Sequence, residues 1–313
     1  MKKALDTSAR EDLGDDLKKA LDEGWLPIRE VARQTGVNAV TLRAWERRYG
    51  LIVPHRTPKG HRLFSVDHVQ RIQAILTWLN RGVAVSQVKQ LLGTPQALSE
   101  CVDNDWHILL QTLLRAVSGL QERALDDSVN QAMALYPPRT LCEQLLMPLL
   151  AALEHRWQGQ FGAQMEQHFF GAWLRSKFGA RIYHNNRQLH TAPLLLINHS
   201  DLPMEPHLWL TAWLISSADC PVEVFDGPLP VGELALAVEL LQPRGVLLYS
   251  SKAINLALLT KLFKGVSCPK MIAGPTVCIH QTELSASTSE IADLYLVEDP
   301  LSAHQALVQR GLI

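Results

Sequence analysis

The sequence lacks the features that mark secreted, membrane-spanning and zinc-binding proteins. Its five cysteines are scattered, and no two of them form a Cys-x-x-Cys pair. A disulfide framework or a zinc site is therefore not expected, and a reducing compartment is. No run of 18 apolar residues occurs, and the charged N-terminus has no apolar signal region. These absences predict a cytoplasmic protein that does not contact a membrane.

Net charge is also nearly absent, at −1 over 313 residues, but it is unevenly distributed. Residues 27–92 contain 11 Lys and Arg against 3 Asp and Glu, a net of +8, which leaves −9 for the other residues. A basic segment in a neutral chain predicts a polyanionic partner for that segment alone. The chain length and an apolar content of 47% are sufficient for two or three packed domains.

The spacing of apolar residues predicts a multidomain fold. Apolar residues three and four apart predict a bundle of four helices, with one break at Pro137 and Pro138. After Pro193, short apolar runs alternate with helical stretches, which predicts a doubly wound α/β domain of the flavodoxin or Rossmann type. The predicted segments are a flexible N-terminal tail (1–24), a winged helix-turn-helix domain (25–95), the helical bundle (98–185) and the α/β domain (190–313).

Five strands and four helices are predicted within the α/β domain. The short apolar runs that predict buried parallel strands are 194–198, 222–225, 245–250, 270–274 and 293–297. The stretches that predict helices between and after them are 205–218, 231–241, 253–264 and 300–310. This alternation is the pattern of repeated βαβ units around one parallel sheet.

The basic segment opens with two predicted helices. The first covers 27–36 and ends at Gly36, and the second follows an N-cap at Asn38 and ends at Gly50. The apolar side chains expected to pack these helices together are Ala32, Val37, Val40, Leu42 and Trp45. The residues expected on the outer face, where side chains reach base edges and phosphates in the major groove, are Thr41, Arg43, Arg47, Arg48 and Tyr49.

A β-hairpin is predicted next, over 51–65, with its turn at Pro58, Lys59 and Gly60. The side chains that it would offer to a phosphate backbone are His55, Arg56, Lys59, His61 and Arg62. Two more helices are expected up to Leu92, divided near Gly82, with Ser65 and Ser86 as caps. A solvated basic face would explain any single arginine. The complete order of two helices, a basic hairpin and a helix pair favours a winged helix-turn-helix that binds double-stranded DNA.

Three strings in this segment resemble the MerR family of transcription regulators. They are TLRAWERRYGL (41–51), RTPKGHRLF (56–64) and the helix start at 82–89. The resemblance implies promoter DNA as the partner, a homodimer on a nearly palindromic operator, and regulation by distortion of the promoter. Residues 93–125 show no sustained heptads. The dimer is therefore expected to use the helices beside the hairpin or the C-terminal half.

The order of helical bundle and α/β domain resembles the CarH, LitR and MlrA group of MerR regulators, of which CarH and LitR respond to light through cobalamin. Two fragments carry this resemblance, RWQGQFGAQMEQHF (156–169) and EPHLWL (205–210). It implies adenosylcobalamin as the cofactor, His207 as the ligand of the cobalt and Glu205 as the residue that orients His207. The other residues that it assigns to the cofactor site are Trp157, Gln167, His168, Ser250 and Gly274.

The sequence departs from that group's pattern at three positions. Gln167 stands where a Glu is expected, and Leu210 and Ala273 each replace a Gly. Because glycine lets a cofactor approach the backbone closely, three alternatives stay open: a cobalamin-binding module, a degenerate module controlled by a protein partner such as a separate photoreceptor, and a module for another small ligand. In the degenerate case Trp209 and Trp213 are either partner-surface or core residues, with core packing favoured.

The sequence as a whole predicts a DNA-binding transcription regulator, a light- or stress-responsive repressor with a sensory C-terminal half. A cobalamin enzyme and an architectural DNA protein are the rival functions. The C-terminal half shows no nucleophile paired with a base, no Gly-rich phosphate loop and no metal-ligand cluster. It is also joined to a DNA-binding segment that an enzyme does not need. We therefore expect no enzymatic activity.

Overall fold

The structure is a computed structural model, which describes residues 24–57, 60–92, 104–230, 232–281, 284 and 291–313. The chain forms two compact units. The first contains Met1–Arg115 and Arg123–Leu146, and the second contains Ala116–Glu122 and Met147–Ile313. The predicted flexible tail, apart from Gly24, and the residues Pro58, Lys59 and Cys101 lie outside the described part of the chain.

The first unit begins with short helices and a small antiparallel sheet. Its elements are β1 (Leu26–Pro27), α1 (Ile28–Thr35), α2 (Ala39–Ala44, continued by a π-helical turn at Trp45–Tyr49), β2 (His55–Arg56), β3 (Arg62–Phe64), α3 (Val66–Asn80) and α4 (Val85–Leu91). The predicted helix signals are confirmed. The Asn38 side chain accepts a hydrogen bond from the Thr41 backbone N–H at 2.8 Å, and Gly36 and Gly50 end their helices in the left-handed conformation.

The packing of α1 against α2 differs from the prediction at two positions. Val31, Val37, Leu42 and Trp45 are buried, but Val40 is 58% exposed. Thr41, expected on the outer face, is fully buried. The reason is helical phase: Thr41 lies one turn before Trp45 and therefore shares its inward face, whereas Val40 is two residues from Leu42 and points to the opposite side.

The hairpin prediction is confirmed, with one additional strand. β3 pairs antiparallel with β2 (His55↔Leu63) and also with β1 (Leu26↔Phe64). Leu63 and Phe64 are buried and anchor the sheet. The Gly60 N–H donates to the Thr57 carbonyl at 2.8 Å with φ at +84°, which shows why a glycine stands in the turn.

One of the two predicted serine caps is wrong. Ser65 forms a capping box with His68 at the start of α3, as expected. α4 instead begins after Ala84, which supplies no side-chain cap. The Ser86 hydroxyl lies inside α4 and donates to the Asp105 carboxylate at 2.8 Å. Gly82, with φ at +85°, divides α3 from α4 where the sequence predicts it.

Four long helical stretches follow, and the prolines fall where the break is predicted. They are α5 (Asn104–Ser118), α6 (Glu122–Leu135), α7 (Pro138–Leu141, a π-helical turn at Cys142–Leu146, then Met147–Trp157) and α8 (Ala163–Asn186). Pro138 occupies the first turn of α7, where its missing N–H leaves no bond unmade. The boundary between the two compact units falls inside α7.

The second unit contains a five-stranded parallel sheet. Its elements are β4 (Leu194–Asn198), α9 (Pro206–Ser217), β5 (Val222–Phe225), α10 (Glu233–Leu241), β6 (Gly245–Tyr249), α11 (Leu256–Leu262), β7 (Lys270–Ala273), α12 (Pro275–Ile279), β8 (Leu294–Val297) and α13 (Pro300–Gln309). The strand order is β5-β4-β6-β7-β8, which is the flavodoxin-like doubly wound order. Every residue of β4, β6 and β7 is buried, as expected for strands covered on both faces.

The two tryptophans of α9 are core residues. Trp213 lies 5.1 Å from the Phe178 ring, between centroids. Trp209 is buried against Gly179, whose position leaves only 3.6 Å between an added Cβ and the indole. Of the two readings open for Trp209 and Trp213, core packing is therefore correct.

Several features have a bearing on function classes. None of the helices described is long and apolar enough to cross a membrane. Among the described residues, no group of three or more His, Cys, Asp or Glu could hold a metal ion. Cys142, Cys220, Cys268 and Cys278 are free thiols.

Candidate functional site

The predicted DNA-contacting arginines of α2 lie at the surface. Arg47 and Arg48, in the π-helical turn, are exposed, and Arg43 and Tyr49 are partly exposed. Within the described residues, the side chains of these arginines form no ion pair, so their donors are available to a phosphate or a guanine edge. π-Helical turns of this kind often occur at functional sites.

The hairpin is tied to α2 by a carboxylate that sequence reasoning did not select. Glu46 accepts hydrogen bonds from Arg56 and Arg62, each at 2.5 Å. Burial by itself would raise the pKa of Glu46, but the bonds from Arg62 and Arg56 outweigh burial and lower it. The two predicted phosphate-binding arginines are thus held in place by Glu46. Each guanidinium has five N–H donors, so both keep donors for a phosphate.

The other hairpin residues are placed as follows. His55 and His61 are exposed. The His55 ring lies 5.3 Å from the Trp25 ring, so the hairpin also packs on the start of β1. Lys59 lies outside the described residues. The basic side chains of α2 and of the hairpin therefore belong to one connected surface of the first unit.

The predicted cobalt ligand lies at the carboxyl edge of the parallel sheet. β4 and β6 are neighbours whose connections leave in opposite directions, and this is where ligands bind in doubly wound folds. His207 Nδ1 is 3.7 Å from Glu205 Oε1 and 3.9 Å from Glu154 Oε1 on α7. Glu205 is buried, and its Oε2 has no hydrogen-bond partner among the described residues. The His207–Glu205 pair thus fits the roles that the resemblance assigns to it.

Tyr249 fills the space next to this pair. Its ring lies parallel to the His207 ring, 6.2 Å away between centroids. A Cβ at position 274 would lie 2.8 Å from Tyr249 Cζ and 2.7 Å from the Ser250 carbonyl oxygen. The close approach that Gly274 permits is therefore made by Tyr249 itself. Burial raises the pKa of the Tyr249 phenol above its ordinary range, so the group is neutral.

Two further predicted site residues are used by the protein itself. Ser250 is fully buried, and its hydroxyl donates to the Lys252 carbonyl at 3.0 Å. Leu210, in place of a glycine, is fully buried in α9. Together with Tyr249, these contacts leave the region around Gly274 closed to a nucleotide tail.

The prediction for Gln167 and His168 is wrong in the choice of residue. Both side chains are exposed, whereas Glu166 is buried. Glu166 accepts a hydrogen bond from the Trp157 indole at 3.2 Å and a bidentate pair from Arg156 at 2.9 and 3.0 Å. The bond from Arg156 lowers the pKa of Glu166. Adjacent helical residues point about 100° apart, so a shift of one position decides which carboxyl or amide group meets Trp157.

The helices of the second unit also close onto this edge of the sheet. An added Cβ at Gly171 of α8 would lie 3.7 Å from the Met204 methyl, in the segment just before α9. Glu154 of α7 reaches His207 from the same side. The residues at this edge therefore fit the cobalt-facing side of a cobalamin but do not fit the whole group with its nucleotide tail inserted.

Comparison with known proteins agrees with the geometry of the first unit. Residues 26–94 match the family model for the MerR HTH family regulatory protein. The mercuric resistance operon regulatory protein of Bacillus cereus is 36% identical over 106 residues, which is 80% of its length and 32% of this chain. The chain belongs to the MerR family. Residues 109–182 of this MerR-family chain match the family model for the B12 binding domain.

Two longer MerR-type regulators are also similar. The transcriptional regulator MlrA of Escherichia coli is 40% identical over 127 residues, 41% of this chain and 51% of MlrA. The chain thus spans about half the length of the MlrA proteins that it matches. The transcriptional repressor CarH of Myxococcus xanthus is 26% identical over 234 residues, 69% of this chain and 75% of CarH. A solved cobalamin-binding protein of Desulfitobacterium hafniense aligns at 14% identity with a TM-score of 0.34, over 64% of this chain and 97% of that one.

Proposed function

We propose that this MerR-family protein is a transcriptional regulator that binds promoter DNA with α2 in the major groove and the β2–β3 hairpin as a wing on the flanking backbone. The observation that carries the proposal is the unpaired Arg43, Arg47 and Arg48 on α2 beside a hairpin whose own arginines are fixed by Glu46. Arginines on a short helix read guanine edges and phosphates, whereas wing residues contact the backbone.

A homodimer on a nearly palindromic operator follows from the same proposal. One α2 helix covers only a few base pairs, so a two-fold pair of helices, about one helical turn of DNA apart, supplies the affinity of a specific complex. The C-terminal half then acts as the sensory part, and repression in response to light or stress is the regulation that the likeness to CarH suggests. All of this takes place in the cytoplasm.

Single substitutions of the α2 arginines test the DNA-binding mode. Arg43→Ala and Arg47→Ala should each weaken operator binding by about 1–3 kcal/mol if they contact a base. A substitution that removes a phosphate contact should instead lower the slope of log K against log salt by about 1. The measurement is fluorescence-anisotropy titration of promoter DNA at several salt concentrations.

The matched control is Arg123→Ala, an exposed arginine on α6 outside the proposed interface. It should leave affinity and salt slope unchanged. If Arg43→Ala and Arg47→Ala behave like Arg123→Ala, α2 is not the recognition helix and the proposal fails.

We also propose that the C-terminal half is a sensory module of the B12-binding type in which Tyr249 occupies the position of the cofactor's nucleotide tail. The support is the contact between the Tyr249 ring and Gly274, together with the preserved His207–Glu205 pair. Adenosylcobalamin, when bound, would place a light-sensitive cobalt–carbon bond at this edge. In the chain's own residues, His207 and Glu205 would hold the lower face, and Tyr249 opposes entry of the tail.

Substitution of Tyr249 tests this arrangement. The protein is incubated with adenosylcobalamin in the dark and desalted, and its visible absorbance is recorded. Wild type should be colourless, whereas Tyr249→Val, which shortens the side chain and keeps strand preference, should retain colour. Retention should be lost in Tyr249→Val/His207→Ala. Tyr295→Val on β8 is the control for a shortened strand tyrosine.

Two outcomes would contradict the proposal. Stoichiometric retention by wild type, lost in His207→Ala, would make this a cobalamin-dependent and light-responsive regulator without any change at Tyr249. Absence of colour in every variant, with native circular dichroism, would show that Tyr249 does not decide exclusion and that the signal is a protein partner or another ligand.

A further inference from the structure

Residues 105–140 are joined to the DNA-reading part of the first unit by five polar contacts. Besides Ser86 and Asp105, described above, the contacts are Trp45 Nε1 to the Leu135 carbonyl at 2.8 Å, the Val85 N–H to the Tyr136 hydroxyl at 3.3 Å, Trp106 Nε1 to the Gly82 carbonyl at 2.9 Å and the Thr140 hydroxyl to Asn80 Oδ1 at 2.9 Å. Three of these are buried bonds, where an unmade partner costs most.

The Tyr136 hydroxyl takes the place of an N-cap for α4. The first N–H groups of a helix have no partner within it, and Ala84 offers no side chain to accept from them. Tyr136 supplies the missing acceptor from outside the helix-turn-helix, for the Val85 N–H. Burial raises the pKa of Tyr136 to about 12, so the phenol stays neutral at physiological pH. The Trp106 ring, 4.3 Å away between centroids, fixes its orientation.

The Trp45 contact reaches α2 itself. Leu135 is the last residue of α6, where a helix carbonyl has no intrahelical partner. The indole N–H of Trp45 satisfies it. Because Trp45 lies between Arg43 and Arg47 on one helix, the end of α6 determines where these arginines stand relative to the hairpin.

We infer that Tyr136 and Trp106 are positioning residues for DNA recognition, and that the DNA-reading body of this protein extends through α5 and α6 to residue 146 rather than ending near residue 94. The inference rests on the proposed function. It gives the helical region a second role: any ligand or partner that shifts the end of α6 also shifts α2 and the start of α4, and thereby changes operator affinity.

Tyr136→Phe in the full chain tests the inference, because it removes only the hydroxyl that caps α4. Loss of one buried hydrogen bond should weaken operator binding about fivefold, with an unchanged salt slope since all α2 arginines remain. Affinity is measured at a temperature where circular dichroism shows both proteins fully folded. Tyr183→Phe is the matched control, because Tyr183 is 66% exposed on α8.

The outcomes separate the two proposals. If wild type itself does not bind operator DNA, the proposed function fails. If wild type binds and Tyr136→Phe lowers the melting temperature without changing affinity, Tyr136 is only structural and the inference is overturned. Should Tyr136→Phe not fold, Trp106→Phe removes the indole N–H bonded to Gly82 while keeping a ring, and the same comparison of affinity applies.

Discussion

Trp45→Ala should unfold most of the first unit and abolish operator binding. Trp45 is completely buried, and its indole N–H is bonded to the Leu135 carbonyl. Replacement of a buried Trp by Ala costs about 3–5 kcal/mol, and the unpaired Leu135 carbonyl adds about 1–3 kcal/mol. Since a domain is stable by only about 5–15 kcal/mol, this single change removes a large part of the folding free energy.

Urea denaturation followed by circular dichroism, together with operator titration, measures the effect. Trp78→Ala is the matched control: Trp78 lies on α3 in the same unit, is only half-buried and carries the Arg81 guanidinium 5.2 Å from its ring. Its loss should be much smaller than that of Trp45→Ala. Equal losses would mean that the α2–α6 contact contributes nothing beyond ordinary tryptophan burial. Trp45→Phe should fall between the two, because it keeps a ring but leaves the carbonyl unpaired.

The sequence signals that the structure confirms are local ones. Asn38, Ser65, Gly36 and Gly50 act through their own backbone neighbours, so their roles can be read without knowledge of the tertiary fold. The buried strands are equally visible, because a parallel strand covered on both faces needs a continuous apolar run. In this chain the order of such runs was enough to predict the doubly wound sheet.

The errors arise where one position along a helix decides direction. Thr41 was expected to face outward because it follows the N-cap closely, yet the inward face is set by Trp45 one turn later. Gln167 was chosen over Glu166 by spacing in a resemblance, but the buried carboxylate is the one that meets Trp157. A resemblance gives the element, and packing gives the residue.

Other functional residues carry no signal in a single sequence. Glu46 is one acid within a strongly basic segment, and its pairing with Arg56 and Arg62 depends on how the hairpin folds back. Tyr249 ends an apolar run and has the pattern of a core strand residue. Its contact with Gly274 arises only because β6 and β7 are adjacent in the sheet. Tyr136 caps a helix that lies 51 residues earlier.

Gly274→Ala should be the most damaging substitution in the second unit. Gly274 has φ +98° and ψ −176°, a conformation that is essentially restricted to glycine and costs other residues about 1–3 kcal/mol. The added methyl would also lie 2.7 Å from the Ser250 carbonyl oxygen and 2.8 Å from Tyr249 Cζ, and overpacking of this kind costs about 1–3 kcal/mol more. We expect a total destabilisation of about 2–6 kcal/mol.

Thermal and urea unfolding of the full chain measure this loss, and Gly311→Ala is the matched control. Gly311 also has a positive φ, +67°, but an added Cβ would meet nothing within 4 Å, so its variant reports the cost of backbone conformation alone. In the double variant Gly274→Ala/Tyr249→Val, the contact with the ring disappears while the contact with the Ser250 carbonyl stays, so part of the loss should be recovered. If Gly274→Ala is no worse than Gly311→Ala, Tyr249 does not press on this glycine, and the argument that Tyr249 fills the tail position loses its physical basis.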